Sequence, residues 1–176
     1  MNVYTEHQEQ FDRAPDAAAM THMFRVDPKA APDHDYDPAW DYDIADAADE
    51  LLPVIREAGE RMVAEILPVF GFFGFVLFDA LLPGDCVGIY ISGTAPFPVV
   101  GLDTERMAFV AREEGLDLAS EIAVSIAHEL AHAHQDMCGL LHDDPHSHDT
   151  EDAAEAFARC WHQTGIVDVL SLETTP

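Results

Sequence analysis

Five consecutive residues carry the most direct chemistry in this sequence: His128-Glu129-Leu130-Ala131-His132. Two histidines four apart on a helix stand one turn above each other on a single face. Their ring nitrogens can then bind one zinc ion together. Glu129 lies one residue past the first histidine, within reach of a water on the metal's open position. A chain with 10 histidines in 176 residues meets this pattern by accident about 4% of the time, treating its positions as independent draws. The surrounding residues therefore have to support it.

Glu121, Ser125, His128, Glu129, His132 and Asp136 fall along one side of the helix. Leu118, Ile122, Ala123, Ile126, Ala127, Leu130 and Ala131 fall along the other. A polar stripe on so apolar a helix predicts a buried element facing a site. A catalytic zinc keeps three protein ligands and leaves the fourth position to water, so a third ligand must come from elsewhere. Glu151 and Glu155 on the next helix are candidates, as are His142, His146 and His148 in the loop before it. A loop of about ten residues lets that helix fold back beside the first, with Glu151 in its first turn aimed at the metal. Glu155, one turn further on the same face, is placed to hydrogen-bond a ligating histidine. Other residues with metal-binding chemistry have plainer readings. His134 is expected to be exposed, His146 and His148 to lie in a solvated acidic loop, and Cys138 and Cys160 to be small buried hydrophobes.

These residues need elements to hold them. Residues 1–43 contain Pro15, Pro28, Pro32 and Pro38 among many Asp, Ala and His residues. They read as an acidic N-terminal arm, pinned to the domain or to a partner by Phe11, Met20, Met23, Phe24 and Trp40. Helical spacing runs from about Ile44 to Leu67 through Leu51, Ile55, Ala58, Met62 and Ile66, with Pro53 expected to start a new helix. Three β-like runs follow: Phe72 to Phe78, Val87 to Ile91 and Phe97 to Leu102. Asp103 or Thr104 caps a short helix ended by Gly115. Asp117 caps the motif helix, Leu118 to about Met137, closed by Gly139. A last helix covers Thr150 to Thr164, ended by Gly165, and residues 166–176 form a tail. The fold class is α+β: a small mixed or antiparallel sheet of about three strands packed on the motif helix, within a domain spanning residues 44–165.

Composition excludes several functions. Asp plus Glu number 34 against 8 Lys plus Arg, a net charge of −26. Lys29 is the only lysine. Such a surface repels nucleic-acid phosphates and anionic membranes. It suits a salty solvent, where self-repulsion is screened over about 3 Å at 1 M, and implies a halophilic source, cellular or viral. Met1 to Arg13 is polar and acidic, unlike a signal peptide. The 13-residue apolar run from Ile66 to Phe78 is broken by Pro68, Gly71 and Gly74 and too short for a span. Three cysteines with no close pair suit reduced thiols. The expected location is cytoplasmic, with a virion-associated place as the alternative.

The pentapeptide together with Glu151-Asp152-Ala153-Ala154-Glu155-Ala156-Phe157-Ala158 resembles the gluzincin zinc metallopeptidases. It is most similar to the small ImmA/IrrE-type branch, which pairs H-E-x-x-H with a downstream E-x-x-A-N-x-F-A helix. The chain matches at Glu151, Ala154, Phe157 and Ala158 and departs at Glu155, where that branch usually has Asn. Glu155-Ala156-Phe157-Ala158 also resembles the E-G-F-A of the large zinc aminopeptidases, which would make Glu155 the ligand. Gly88-Ile89-Tyr90-Ile91, a turn and Val99-Val100-Gly101-Leu102-Asp103 resemble the hairpin that precedes the active-site helix of small zincins. The resemblance covers residues 72–164. It implies a zincin-like fold, one zinc per chain on His128, His132 and Glu151, and Glu129 as general base in peptide-bond hydrolysis. It also implies a protein or peptide substrate along an edge strand and an oxyanion donor, for which His162 and His142 are candidates. A non-catalytic interaction protein on the same scaffold, docking through its acidic arm, is the competing expectation.

Overall fold

The computed structural model describes residues 21–25, 48–72, 74–79, 82, 86–92, 98–141 and 148–173. The strands are β1 (Thr21–Arg25), β2 (Phe75–Asp79), β3 (Gly88–Ile91) and β4 (Val99–Leu102). The helices are α1 (Ala48–Glu65), α2 (Leu67–Phe70), α3 (Thr104–Glu114), α4 (Leu118–Met137), α5 (His148–Thr164) and α6 (Leu170–Glu173). The class is α+β. The four strands form one mixed sheet in the order β1-β2-β4-β3. β1 and β4 both run parallel to β2, and β3 closes the sheet antiparallel to β4.

Burial follows that order. All four residues of β4 are buried, as an inner strand covered on both faces should be. All four residues of β3 are half-buried, as an edge strand should be. The inner face of the sheet packs Phe75, Leu77, Val100 and Leu102 against Ile122, Ile126 and Leu130 of the motif helix α4. Phe157 and Trp161 of α5 and Met62, Ile66 and Phe70 of α1 and its extension complete the same core. Each fully buried side chain of this size contributes about 1.5–3 kcal/mol relative to exposure, so α4 is anchored along its length.

Polar groups fix the joints. Asp103 is buried and caps α3 by accepting the Arg106 N–H at 3.0 Å, while its other oxygen accepts the Leu82 N–H at 3.2 Å. Asp117 caps α4 by accepting the Ser120 N–H at 3.0 Å and the Ser120 hydroxyl at 2.7 Å. Trp161 is fully buried except for a polar handle: its indole N–H donates to Glu65 at 2.8 Å, and Arg61 lies 4.3 Å above its ring. Gly115 and Gly165 take φ of 68° and 72° after α3 and α5, the left-handed conformation that lets a helix stop there.

Two expectations are corrected. The sheet has four strands, because Thr21–Arg25, read as part of the arm, form its outer parallel strand β1. The rest of the arm lies outside the described residues. Pro53 lies within α1 and does not start a new helix. It stands one turn in, on an exposed position, where the single missing N–H bond is lost to solvent-facing backbone. The tail contains α6, held to the domain by buried Leu172. Among the described residues no helix is long and apolar enough to cross a membrane.

Candidate metal centre

The motif helix presents His128 and His132 on the face covered by α5 and flanked by β3. The two Nε2 atoms lie 3.0 Å apart. Glu151, in the first turn of α5, places Oε2 3.3 Å from each of them. These three ligand atoms, one from each side chain, converge on a common point. Tetrahedral zinc with bonds of about 2.0–2.1 Å would set such atoms about 3.4 Å apart. The residues therefore fit a zinc-class cation by type and by spacing.

A second tier of side chains holds the first. His132 Nδ1 faces Gln135 Oε1 at 2.8 Å, and Gln135 is itself buried and donates through Nε2 to the Thr150 carbonyl at 3.1 Å. One side chain thus orients the His132 imidazole and ties α4 to the start of α5. Glu155 reaches His128 Nδ1 at 3.5 Å and leaves the convergence point to Glu151. Arg159 then bonds Glu155 at 2.7 Å and Glu121 at 3.1 Å, linking α5 back to α4.

Glu129 lies alongside, buried against the edge strand β3. Its carboxylate accepts the Tyr90 backbone N–H. A methyl group built on Gly88 would stand 2.6 Å from Glu129 Oε1. Only glycine lets the strand pass this closely. Burial, then the nearby Glu151 carboxylate, push the Glu129 carboxyl from 4.5 up to about 8, against the pull of the Tyr90 N–H. Burial is also the largest cause acting on His128, and with His132 it holds that imidazole below its ordinary value despite Glu151 and Glu155. A neutral imidazole keeps the lone pair a metal needs. Tyr90 itself donates its hydroxyl to Asp136 at 2.8 Å, fastening β3 to the last turns of α4.

No family model, curated protein or solved structure matches this chain. What the centre can do rests on its own geometry.

Not every expected site residue lies here. His162 is on α5 eleven residues beyond Glu151, about 16 Å along the helix at 1.5 Å per residue. It stands near Asp117, at the opposite end of α4 and away from Glu129. His142 and His146 lie outside the described residues. His148 opens α5 on an exposed position. His134, expected in solvent, is buried and stacks on Phe70 with ring centroids 4.6 Å apart. Cys138 and Cys160, expected to be buried, are exposed, as is Cys86. The sequence reading missed Gly88, Gln135 and Arg159. The one available signal was for Gln135, a polar residue three positions after His132.

Proposed function

We propose that this chain is a zinc-dependent metallopeptidase of zincin-like fold, hydrolysing peptide bonds with Glu129 as general base. The observation that carries this reading is the convergence of His128, His132 and Glu151 beside a buried carboxylate that no structural metal site requires. The acidic composition, net charge −26, supports work in a salt-rich compartment on a peptide or protein and not on nucleic acid.

Bound zinc would supply a water of lowered pKa and polarise the scissile carbonyl. His128, His132 and Glu151 would hold the ion. Glu129 takes a proton from water and returns it to the leaving amine. The Tyr90 N–H fixes which way the carboxylate points, and Gly88 makes room for it. β3 is an edge strand among the described residues and lies beside Glu129, so a substrate added to the sheet as a strand would pass the base.

Metal content by mass spectrometry on protein prepared in high salt tests the reading. About one zinc or more per wild-type chain is expected, with one equivalent lost in His132→Ala and Glu151→Ala and kept in Glu155→Ala. Hydrolysis of unfolded protein substrates should then vanish in Glu129→Gln with the metal retained. Zinc bound without any hydrolysis favours the non-catalytic scaffold. A folded wild type that binds no divalent metal overturns the peptidase reading.

A further inference from the structure

The motif helix carries a second cluster two residues past the first. His134 and Cys138 stand one turn apart on a different face of α4, the face covered by α6. Cys138 Sγ lies 3.6 Å from His134 Nε2. Glu173, in the last turn of α6, places Oε1 3.4 Å from the same nitrogen. All three ligand atoms lie within 4.8 Å of one another. The Glu173 separation is long for a hydrogen bond made for its own sake, which clusters near 2.9 Å for N–H···O. Both separations are close to those across a tetrahedral zinc. Bonds of about 2.05 Å to nitrogen, 2.1 Å to oxygen and 2.3 Å to sulfur give about 3.6 Å for nitrogen to sulfur and about 3.4 Å for nitrogen to oxygen.

We propose that His134, Cys138 and Glu173 form a second divalent-metal site, of zinc class, which staples the C-terminal helix α6 to the end of the motif helix. The donor set supports that class. A thiolate with an imidazole and one carboxylate favours zinc over calcium or magnesium, which take all-oxygen shells. Two of the three ligands are on exposed residues, so the ion enters from solvent and a water completes its shell. The staple has something to hold. α6 has only 4 residues and one buried side chain, Leu172. A helix that short is not stable alone. The site does not depend on His128, His132 and Glu151, and it stands whether or not the chain is a peptidase.

Cobalt distinguishes the two sites, because only the second contains sulfur. The full-length chain carrying Glu151→Gln, which weakens the first site, is titrated with Co²⁺ under reducing conditions. The expected result is a near-ultraviolet sulfur-to-cobalt charge-transfer band that saturates at one equivalent. It should disappear in Cys138→Ser, an exposed substitution that leaves the core untouched. Glu173→Gln should raise the Kd for Co²⁺ at least tenfold. Amide exchange in residues 170–173 should slow on metal addition in the wild type and not in Cys138→Ser. No sulfur-to-cobalt band, or a band that survives Cys138→Ser and so comes from Cys86 or Cys160, overturns the proposal. Failure of the first site would instead show as a missing sulfur-free equivalent in the wild type, with the band unchanged.

Discussion

Two histidine clusters share one helix and differ in what stands behind them. In the first, the far nitrogen of each imidazole has a partner: Gln135 at 2.8 Å for His132 and Glu155 at 3.5 Å for His128. In the second, His134 Nδ1 is buried with no partner among the described residues, and the ring is held by stacking on Phe70. A metal on Nε2 places the proton on Nδ1. In the first cluster Gln135 can accept it from His132. In the second, Nδ1 is buried without a partner among the described residues even before a metal binds, so no hydrogen bond orients the ring. The first cluster is therefore oriented by hydrogen bonds before a metal arrives. The second is positioned by packing, and should bind the same ion more weakly.

The sharpest break comes from Glu129→Gln. It should lower hydrolysis by about 10²–10⁴-fold, the usual contribution of a positioned base, while zinc content stays at the wild-type level. Gly88→Ala should lower the rate about 10²-fold, because the new methyl displaces the Glu129 carboxylate, again with zinc retained. Rate assays paired with metal analysis check both. Gln135→Ala should weaken the first site by 10- to 100-fold and leave the second unchanged, which competition with a chelating dye would read. Equal weakening of both would show that the tie from Gln135 to Thr150 serves the whole helix and not one imidazole.

Acid and base should act on the metal-free chain in a defined direction. The folded pKa of Glu129 is raised from 4.5 to about 8, so the folded state binds more protons than the unfolded state between those values. The stability linked to this group is fully present below about pH 4.5 and is lost as pH rises through about 8. Urea unfolding of the metal-free wild type should show this decline, and Glu129→Gln should flatten it. The smallest effect is expected from Arg159→Ala. Its ion pairs with Glu155 and Glu121 are on the surface, and such pairs contribute about 0–1 kcal/mol.

The parts of the molecule written locally were the legible ones. The motif helix runs from Leu118 to Met137, as its Asp117 cap and Gly139 stop indicate. β3 and β4 pair antiparallel over the two β-like runs. Glu151 reaches the motif histidines because a fixed loop length and a helical period set where it points. Other features depended on distant partners. β1 has no alternation of its own and acquires strand structure by pairing with β2, far along the chain. His134 reads as a surface residue until Phe70 and α6 cover it. Cys138 reads as buried until the helix ends and leaves the residue at its exposed terminus. Gly88 looks like any strand glycine until Glu129 lies across it.

Thr21 pairs with Phe75, whereas Ile91 pairs with Val99 eight positions away. The first contact must close a loop of more than fifty residues, and the second only a short turn. Long closures form late, because their entropy is lost before any contact is gained. Pulse-labelled amide exchange during refolding should protect β3 and β4 before β1. The residues that would bind metal lie on or next to α4, α5 and α6, and none is on β1. A chain emerging from a gradient of denaturant could thus load its ion while the outer strand is still unpaired, and the metal would then serve as a folding clamp before it serves as anything else.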